Sequence, residues 1–344
     1  MKRVVLALAL FIAAAAHGAV REITIHVKAL EGNLLGEPAD QKVAVYLPPS
    51  YETSDHRYPV VYLLHGIADT YDVWTKNWKI PQLLDRLIAS GKIHEMIVVM
   101  PNGRTRLLGS FYANSPVAGR WEDYITSELV TSVDRTFRTI ARPESRGLTG
   151  HSMGGFGAIR LAMRHGDLYR AVYAMSPCCL DFVEDIGWGN PAWARVNEFK
   201  SLDDAAKALE HGEFYPTAII AFAQVITPNP SKPLLADLPI VTSHGELLPS
   251  DPTYTKWQDF FPIAEVAHDR ENLRKLKAFA FDYGTSDQFA HIPVAARRLA
   301  DRLSELRIPF TLSVYDGDHR NRVVERLETI VFPFFSENLS PTQP

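Results

Sequence analysis

Hydrophobic and polar positions change period several times along the chain, and the changes divide it into strands and helices. Residues 21–28 alternate polar and apolar, which predicts a half-buried antiparallel strand. Residues 41–47 repeat the alternation, and Pro48-Pro49 ends it. Residues 59–64 are apolar without a break, as expected of a parallel strand covered on both faces. Residues 96–100 and 171–175 read the same way. Helical spacing predicts helices over 80–90, with Pro81 in the first turn and Gly91 just past the end, and over 121–137. After a long interruption, strands are predicted at 277–281 and 310–315, with helices at 288–306 and 320–335. Such alternation, joined by right-handed crossovers, gives a mainly parallel sheet flanked by helices.

The interruption covers residues 178–276, about a hundred residues where a crossover needs only a dozen or so. It has its own predicted helices at 201–210, with Ser201 as N-cap, at 216–226 and at 267–276, and a Pro-rich connection at 227–252. It also carries Trp188, Trp193, Phe199, Phe214, Tyr215 and Trp257. We read it as an inserted lid or cap; the alternative is a side decoration that packs its own aromatics. The chain then divides into a core at 20–177, the insertion at 178–276, the rest of the core at 277–338 and a disordered tail at 339–344.

The first residues stand apart. Met1-Lys2-Arg3 is followed by an apolar run over 4–16 and small residues through Ala19, the pattern of a secretory signal peptide at 1–19. The run is short for a membrane span, and no other stretch is apolar enough for one. The expectation is an exported protein, periplasmic or extracellular. Composition is ordinary for a globule, 46% hydrophobic and 22% charged, with a net charge of −4. Losing Lys2 and Arg3 makes that −6 (−4 − 2). No basic stripe argues for nucleic acid or an anionic membrane. The two cysteines, Cys178 and Cys179, are adjacent, which suits small buried thiols better than a strained vicinal bridge. No histidine–cysteine spacing suggests a metal site, and no cofactor is implied.

The chemistry gathers at Gly150-His151-Ser152-Met153-Gly154, where a predicted strand turns sharply into a helix. This fits the G-x-S-x-G nucleophile elbow, whose glycines let strand and helix approach while the serine hydroxyl points out of the sheet. Gly155 and Gly157 allow close helix–sheet packing. A serine needs a general base, usually histidine, oriented by a carboxylate, and in this architecture the chain order is Ser, acid, His. The strand at 277–281 leads into two carboxylates, Asp282 at the strand end and Asp287 on the loop beyond. We favour Asp287, whose competing role is a helix N-cap. The last strand leads to His319, the expected base. His151 adjoins the serine and its side chain must diverge; His65 precedes the loop expected to supply one oxyanion donor, the Ile67 N–H. The Met153 N–H at the helix N-terminus is the other. Trp74, Tyr112, Trp188 and His291 are candidates for the substrate pocket wall; for Trp74 and Tyr112 the competing role is ordinary packing.

With these residues in hand, the chain resembles the esterase family of α/β-hydrolases that includes S-formylglutathione hydrolases, feruloyl and acetyl xylan esterases, enterochelin esterases and mycolyltransferase antigens. The matching pieces are Val45-Tyr-Leu-Pro-Pro-Ser-Tyr51, Tyr58-Pro-Val-Val-Tyr-Leu-Leu-His-Gly66, Trp74, Met100-Pro-Asn-Gly103, Trp121-Glu-Asp-Tyr124, the elbow, Gly284-Thr-Ser-Asp287 and Gly317-Asp-His319. The resemblance implies an α/β-hydrolase fold, a triad of Ser152, Asp287 and His319, and an oxyanion hole at Ile67 and Met153. Asp318 stands where relatives often carry a second glycine. The implied activity is hydrolysis of a small-molecule or polysaccharide-linked carboxylic ester, feruloyl or acetyl. Acyl transfer to a sugar is the alternative, and a non-catalytic binding module the third reading.

Overall fold

The computed structural model describes residues 17–341. The signal-peptide segment lies outside the described residues except for its last positions, as does the end of the tail. The eight main strands are β1 (Ala19–His26), β2 (Asp40–Leu47), β3 (Val60–Leu64), β4 (Ile97–Pro101), β5 (Arg146–His151), β6 (Ala171–Met175), β7 (Ala278–Gly284) and β8 (Thr311–Tyr315). They form one sheet in the order β1-β2-β4-β3-β5-β6-β7-β8. Pairing is parallel throughout except that β2 runs antiparallel to both β1 and β4.

The central strands β3 to β6 are buried at every position, which explains the unbroken apolar sequence of β3, β4 and β6. The outer strand β1 alternates exposed and covered residues, as its polar–apolar pattern requires. Each face of the sheet has its own core. One is filled by helices Trp121–Asp123 onward and Met153–Arg164 together with the inserted segment; the other by helix Ile80–Ala89 and the C-terminal helix.

Register decides where the site lies. Leu64 of β3 pairs with Gly150 of β5, His151 with Met175 of β6, Met175 with Asp282 of β7, and Gly284 with Tyr315 of β8. The carboxyl ends of five neighbouring strands are therefore level, and the loops after them open on one edge.

Two boundaries differ from the sequence expectation. The third inserted helix begins at Pro262, not near 267, and runs to Lys275. It packs on the Met153–Arg164 helix, where Arg160 donates to both oxygens of Glu265 (3.1 Å each) and Asn272 donates to the Met163 carbonyl (2.7 Å). It is thus the core's own crossover helix into β7, and its dense charge hid the short apolar stripe of Val266 and Leu273. The first part of the segment holds helices Ala192–Glu198, Leu202–Glu210, Phe214–Ile226 and Thr253–Phe260, and a hairpin of Ile240–Ser243 with Glu246–Pro249. Ser201 caps its helix through the Asp204 N–H (3.2 Å). The start of the tail, expected to be disordered, is docked. Leu339 is buried, Ser340 donates its N–H to Glu144 (2.9 Å), and the Ser340 carbonyl accepts from Ser145 Oγ (2.8 Å).

Candidate active site

Ser152 sits between β5 and the Met153–Arg164 helix with φ 58° and ψ −116°, a conformation that L-residues rarely adopt. Strain of this kind costs about 1–3 kcal/mol and persists only where the surroundings impose it. Here the glycines impose it. A Cβ on Gly154 would lie 2.2 Å from the Leu64 carbonyl oxygen, and one on Gly150 would lie 2.4 Å from the Gly154 carbonyl. Gly157 admits the Tyr112 ring, 2.6 Å from where its Cβ would be.

His319 Nδ1 donates to Asp287 Oδ2 at 2.8 Å, with both side chains almost wholly buried. That proton leaves Nε2 as the basic nitrogen of a neutral ring. Asp287 Oδ1 accepts the Phe289 N–H (3.0 Å), so the carboxylate ties off its own loop and caps no helix; the next helix begins at His291. The loops after β7 and β8 also touch directly. Ser286 donates to the Gly317 carbonyl (3.0 Å), and a Cβ on Gly284 would meet that oxygen at 2.3 Å. Asp318 Oδ1 accepts the N–H groups of Arg320 (2.8 Å) and Asn321 (2.7 Å), which fixes the turn without a second glycine.

Asp282, the competing acid, is fully buried and faces elsewhere. Its Oδ1 accepts from the Ser176 N–H (2.9 Å) and Arg326 Nη1 (2.5 Å), and its Oδ2 from the Tyr173 hydroxyl (3.0 Å). Burial pushes its carboxyl above the usual range despite Arg326.

Two histidines that sequence position set aside hold the site in shape. The Gly103 N–H donates to His65 Nε2 (2.8 Å), so the ring carries its proton on Nδ1 and donates to the Gly66 carbonyl (2.8 Å). Burial holds this ring's pKa down to about 4, so it stays neutral. The Gly66 carbonyl and the Ile67 N–H belong to one trans peptide plane and point opposite ways. Pinning the carbonyl therefore aims the N–H. His151 turns away from Ser152, and its Nε2 donates to the His319 carbonyl (2.8 Å). Burial, then the neighbouring His319, keeps it well below its usual pKa. Among the described residues, the Ile67 and Met153 N–H groups have no acceptor. A hydrogen-bond partner to a backbone carbonyl is not visible in sequence, which is why both histidines escaped notice.

Ser152 lines two spaces. One is an apolar pocket of about 50 Å3 walled by Ile67, Phe111, Phe214, Phe222, Trp257, Phe261 and Phe289, with His291 on the same lining. The other is a cleft shared with His319, Gly66, Asp69, Gln288 and Arg320. Of the four residues expected at the pocket wall, His291 is there. The other three require correction. Trp74 is buried on the opposite core with Val73, Ile80 and Leu83, behind Trp78 (5.4 Å between rings). Tyr112 turns inward, donates to the His65 carbonyl (2.9 Å) and leaves the wall to its neighbour Phe111. Trp188 is 49% exposed on the outer face of the inserted segment, donating to the Leu247 carbonyl (3.2 Å). Cys178 and Cys179 are buried free thiols on the apolar pocket. Among the described residues, no group of three His, Cys, Asp or Glu side chains is placed to hold a metal, and no helix is long and apolar enough to cross a membrane.

Fold and strand-edge geometry are those of an α/β-hydrolase of the esterase type. The profile of the Esterase family, described as "Putative esterase", matches residues 38–329, and the chain belongs to that family. It is 32% identical over 196 residues to Esterase MT1326 of Mycobacterium tuberculosis, covering 55% of this chain and 38% of that protein. It is 33% identical over 133 residues to an endo-1,4-beta-xylanase/feruloyl esterase of Xylanibacter ruminicola, covering 38% of this chain and 18% of that one. The chain thus matches well under half the length of these relatives. A solved ferulic acid esterase superposes with a TM-score of 0.67 at 22% identity, over 95% of this chain and all of the other.

Proposed function

We propose that this chain is a serine carboxylesterase that acts on esters of aromatic carboxylic acids through an acyl-serine intermediate. In this reading His319 Nε2 takes the Ser152 proton as Oγ attacks the ester carbonyl. Asp287 holds the ring in the required tautomer and stabilises the imidazolium, and the Ile67 and Met153 N–H groups receive the oxyanion. The imidazolium then gives its proton to the leaving alkoxide. Water repeats the sequence on the acyl-enzyme and releases the acid.

One observation carries the reading: of the triad, Ser152 alone reaches both the apolar pocket and the more polar cleft that holds His319. The leaving oxygen must lie beside the proton donor. The alcohol therefore belongs in the cleft, and the acyl group in the cavity. The aromatic walls of the pocket suit the ring of an aromatic acyl group. The feruloyl esterase similarity supports the same acyl class. The cleft residues Asp69, Gln288 and Arg320 suit a hydroxyl-rich alcohol such as a sugar. Export, expected from residues 1–19, fits an ester carried on an external polymer; a mature protein that begins between Ala16 and Val20 when recovered outside the cytoplasm supports it, and an uncleaved cytosolic chain overturns it.

The test of the chemistry is Ser152→Ala. It should abolish hydrolysis of p-nitrophenyl esters and labelling by a fluorophosphonate. Labelling that persists at another residue would sink the assignment.

A further inference from the structure

Two cysteines and a histidine meet on the wall of the apolar pocket, and the triad uses none of them. The cysteines follow β6 closely, after Ser176-Pro177. Adjacent residues of an extended chain face opposite ways, yet Cys178 and Cys179 both line the pocket. The left-handed backbone at Cys179, with φ 62°, breaks the alternation. Cys178 is also tied to the nucleophile elbow, since its N–H donates to the Ser152 carbonyl at 3.2 Å.

His291 opens the helix after β7 and is 3% exposed. Its Nδ1–H and its backbone N–H both donate to Asp185 Oδ1, each at 2.7 Å, and Asp185 Oδ2 accepts the Tyr215 hydroxyl at 2.5 Å. The other ring nitrogen, Nε2, faces sulfur. Cys179 Sγ lies at 3.9 Å, and Cys178 also takes a hydrogen bond from the ring. Burial works against charge on this imidazole, but Asp185 and Cys178 outweigh it and hold the ring up at about 9. A cationic N–H therefore points at the thiols at neutral pH. Burial likewise works against a thiolate at Cys178, yet hydrogen bonds from Cys179 and His291 outweigh it and hold this thiol below its ordinary value. Burial, then the neighbouring Cys178, pushes the Cys179 thiol up, so of the two it is the one that keeps its proton. A buried structural cysteine is inert, whereas a thiolate beside an imidazolium is a nucleophile.

We propose that Cys178 is a modification site, a reactive thiol held by His291 and Asp185 that exchanges with small disulfides entering the pocket and so shuts off ester hydrolysis. In the exchange the Cys178 sulfur attacks one sulfur of R–S–S–R. A new S–S bond joins Cys178 to the R–S group, the old S–S bond breaks, and the other half leaves as R–S⁻ and takes a proton from water. The small disulfide is the oxidant, and its departing half is reduced. The bound R–S group then occupies a pocket of about 50 Å3 that Ser152 also lines, where the acyl group must sit. The loss of turnover rests on the esterase reading; the exchange itself does not.

The experiment treats wild type and Ser152→Ala with 2-hydroxyethyl disulfide at neutral pH and follows intact mass, peptide mapping and hydrolysis of a p-nitrophenyl ester. Both proteins should take up one group, on Cys178. Wild type should lose about tenfold or more of kcat/KM and regain it with dithiothreitol, while Cys178→Ser should keep its own starting rate after treatment. A thiol at its ordinary value is only a few per cent thiolate at neutral pH, so His291→Leu and Asp185→Asn should label about tenfold more slowly or worse. Asp185→Glu keeps the carboxylate and should label faster than Asp185→Asn; equal rates would overturn the role given to the ion pair. Native wild type that takes no adduct, that labels at Cys179 as fast as at Cys178, or that labels without losing activity overturns the proposal, whether or not the variants fold. Failure of the esterase reading looks different: the adduct would still form, and wild type and Ser152→Ala would hydrolyse the ester alike.

Discussion

Asp287 and Asp282 lie five residues apart at the end of the same strand, and exchanging each for asparagine separates a catalytic carboxylate from a structural one. In Asp287→Asn the amide oxygen keeps the Phe289 N–H, which Oδ1 accepts at 3.0 Å. The amide NH2 then takes the place of Oδ2 and faces His319 Nδ1 across the present 2.8 Å contact. Two donors cannot share that contact, so the ring must carry its proton on Nε2 instead, the nitrogen needed to deprotonate Ser152. A tautomer error of this type lowers kcat by about 10^4-fold, roughly 5.5 kcal/mol of barrier. Urea unfolding should be nearly unchanged, since the amide preserves the shape and the loop bond. Asp282→Asn should do the reverse. It leaves Arg326, which is 3% exposed, without its carboxylate, and stranding a buried charge costs about 3–5 kcal/mol of stability. Its kcat per folded molecule should stay close to wild type. The assay is steady-state hydrolysis of a p-nitrophenyl ester beside urea titration of each variant. A folded Asp287→Asn protein with more than about a tenth of wild-type kcat would refute the reasoning, because no wrong-tautomer enzyme turns over that fast.

Two further outcomes follow from residues near the site. His151→Phe removes the 2.8 Å bond to the His319 carbonyl and should lower kcat by about 5- to 30-fold with KM nearly unchanged, the effect of roughly 1–2 kcal/mol; a raised KM with normal kcat would contradict a role in holding His319. Arg326→Met exposes Asp282 to its burial alone and raises a carboxyl already above the usual range. A raised carboxyl favours the folded state most below its unfolded pKa and loses that contribution as pH rises through the folded one. The stability deficit of the variant should therefore be about 3–5 kcal/mol at mildly alkaline pH and shrink on acidification toward pH 5; a deficit independent of pH, measured by urea unfolding across that range, would contradict the assignment.

The sheet and the elbow were legible in sequence because local constraints write them directly. A strand buried on both faces is mostly apolar, and the close approach at Gly150 and Gly154 admits no side chain. The order of strand ends then located Ser152, Asp287 and His319 on one edge. What the sequence did not carry was direction. Trp74 and Ile67 follow the same strand, yet one faces the core behind the sheet and the other the cavity. Phe111 and Tyr112 both have left-handed backbones, with φ of 50° and 51°, and that kink sends adjacent rings to different places. The partners of Asp282 come from β6 and the C-terminal helix, so its structural role depends on contacts more than forty residues distant. His65 and His151 act on backbone carbonyls, which leave no mark in the residue pattern.

The two spaces that meet at Ser152 also impose a direction of traffic. Under the proposed function, alcohol departs through the cleft beside His319 and water reaches the acyl-serine by the same route, while the acid stays in the apolar pocket until the second ester bond is broken. Product therefore leaves in a fixed order, alcohol first and acid last. In this reading, the free acid finds the resting enzyme already shaped for it, competes with incoming ester and slows turnover as it accumulates. The aromatic walls that would grip the acyl group in this reading also make the enzyme sensitive to its own end product.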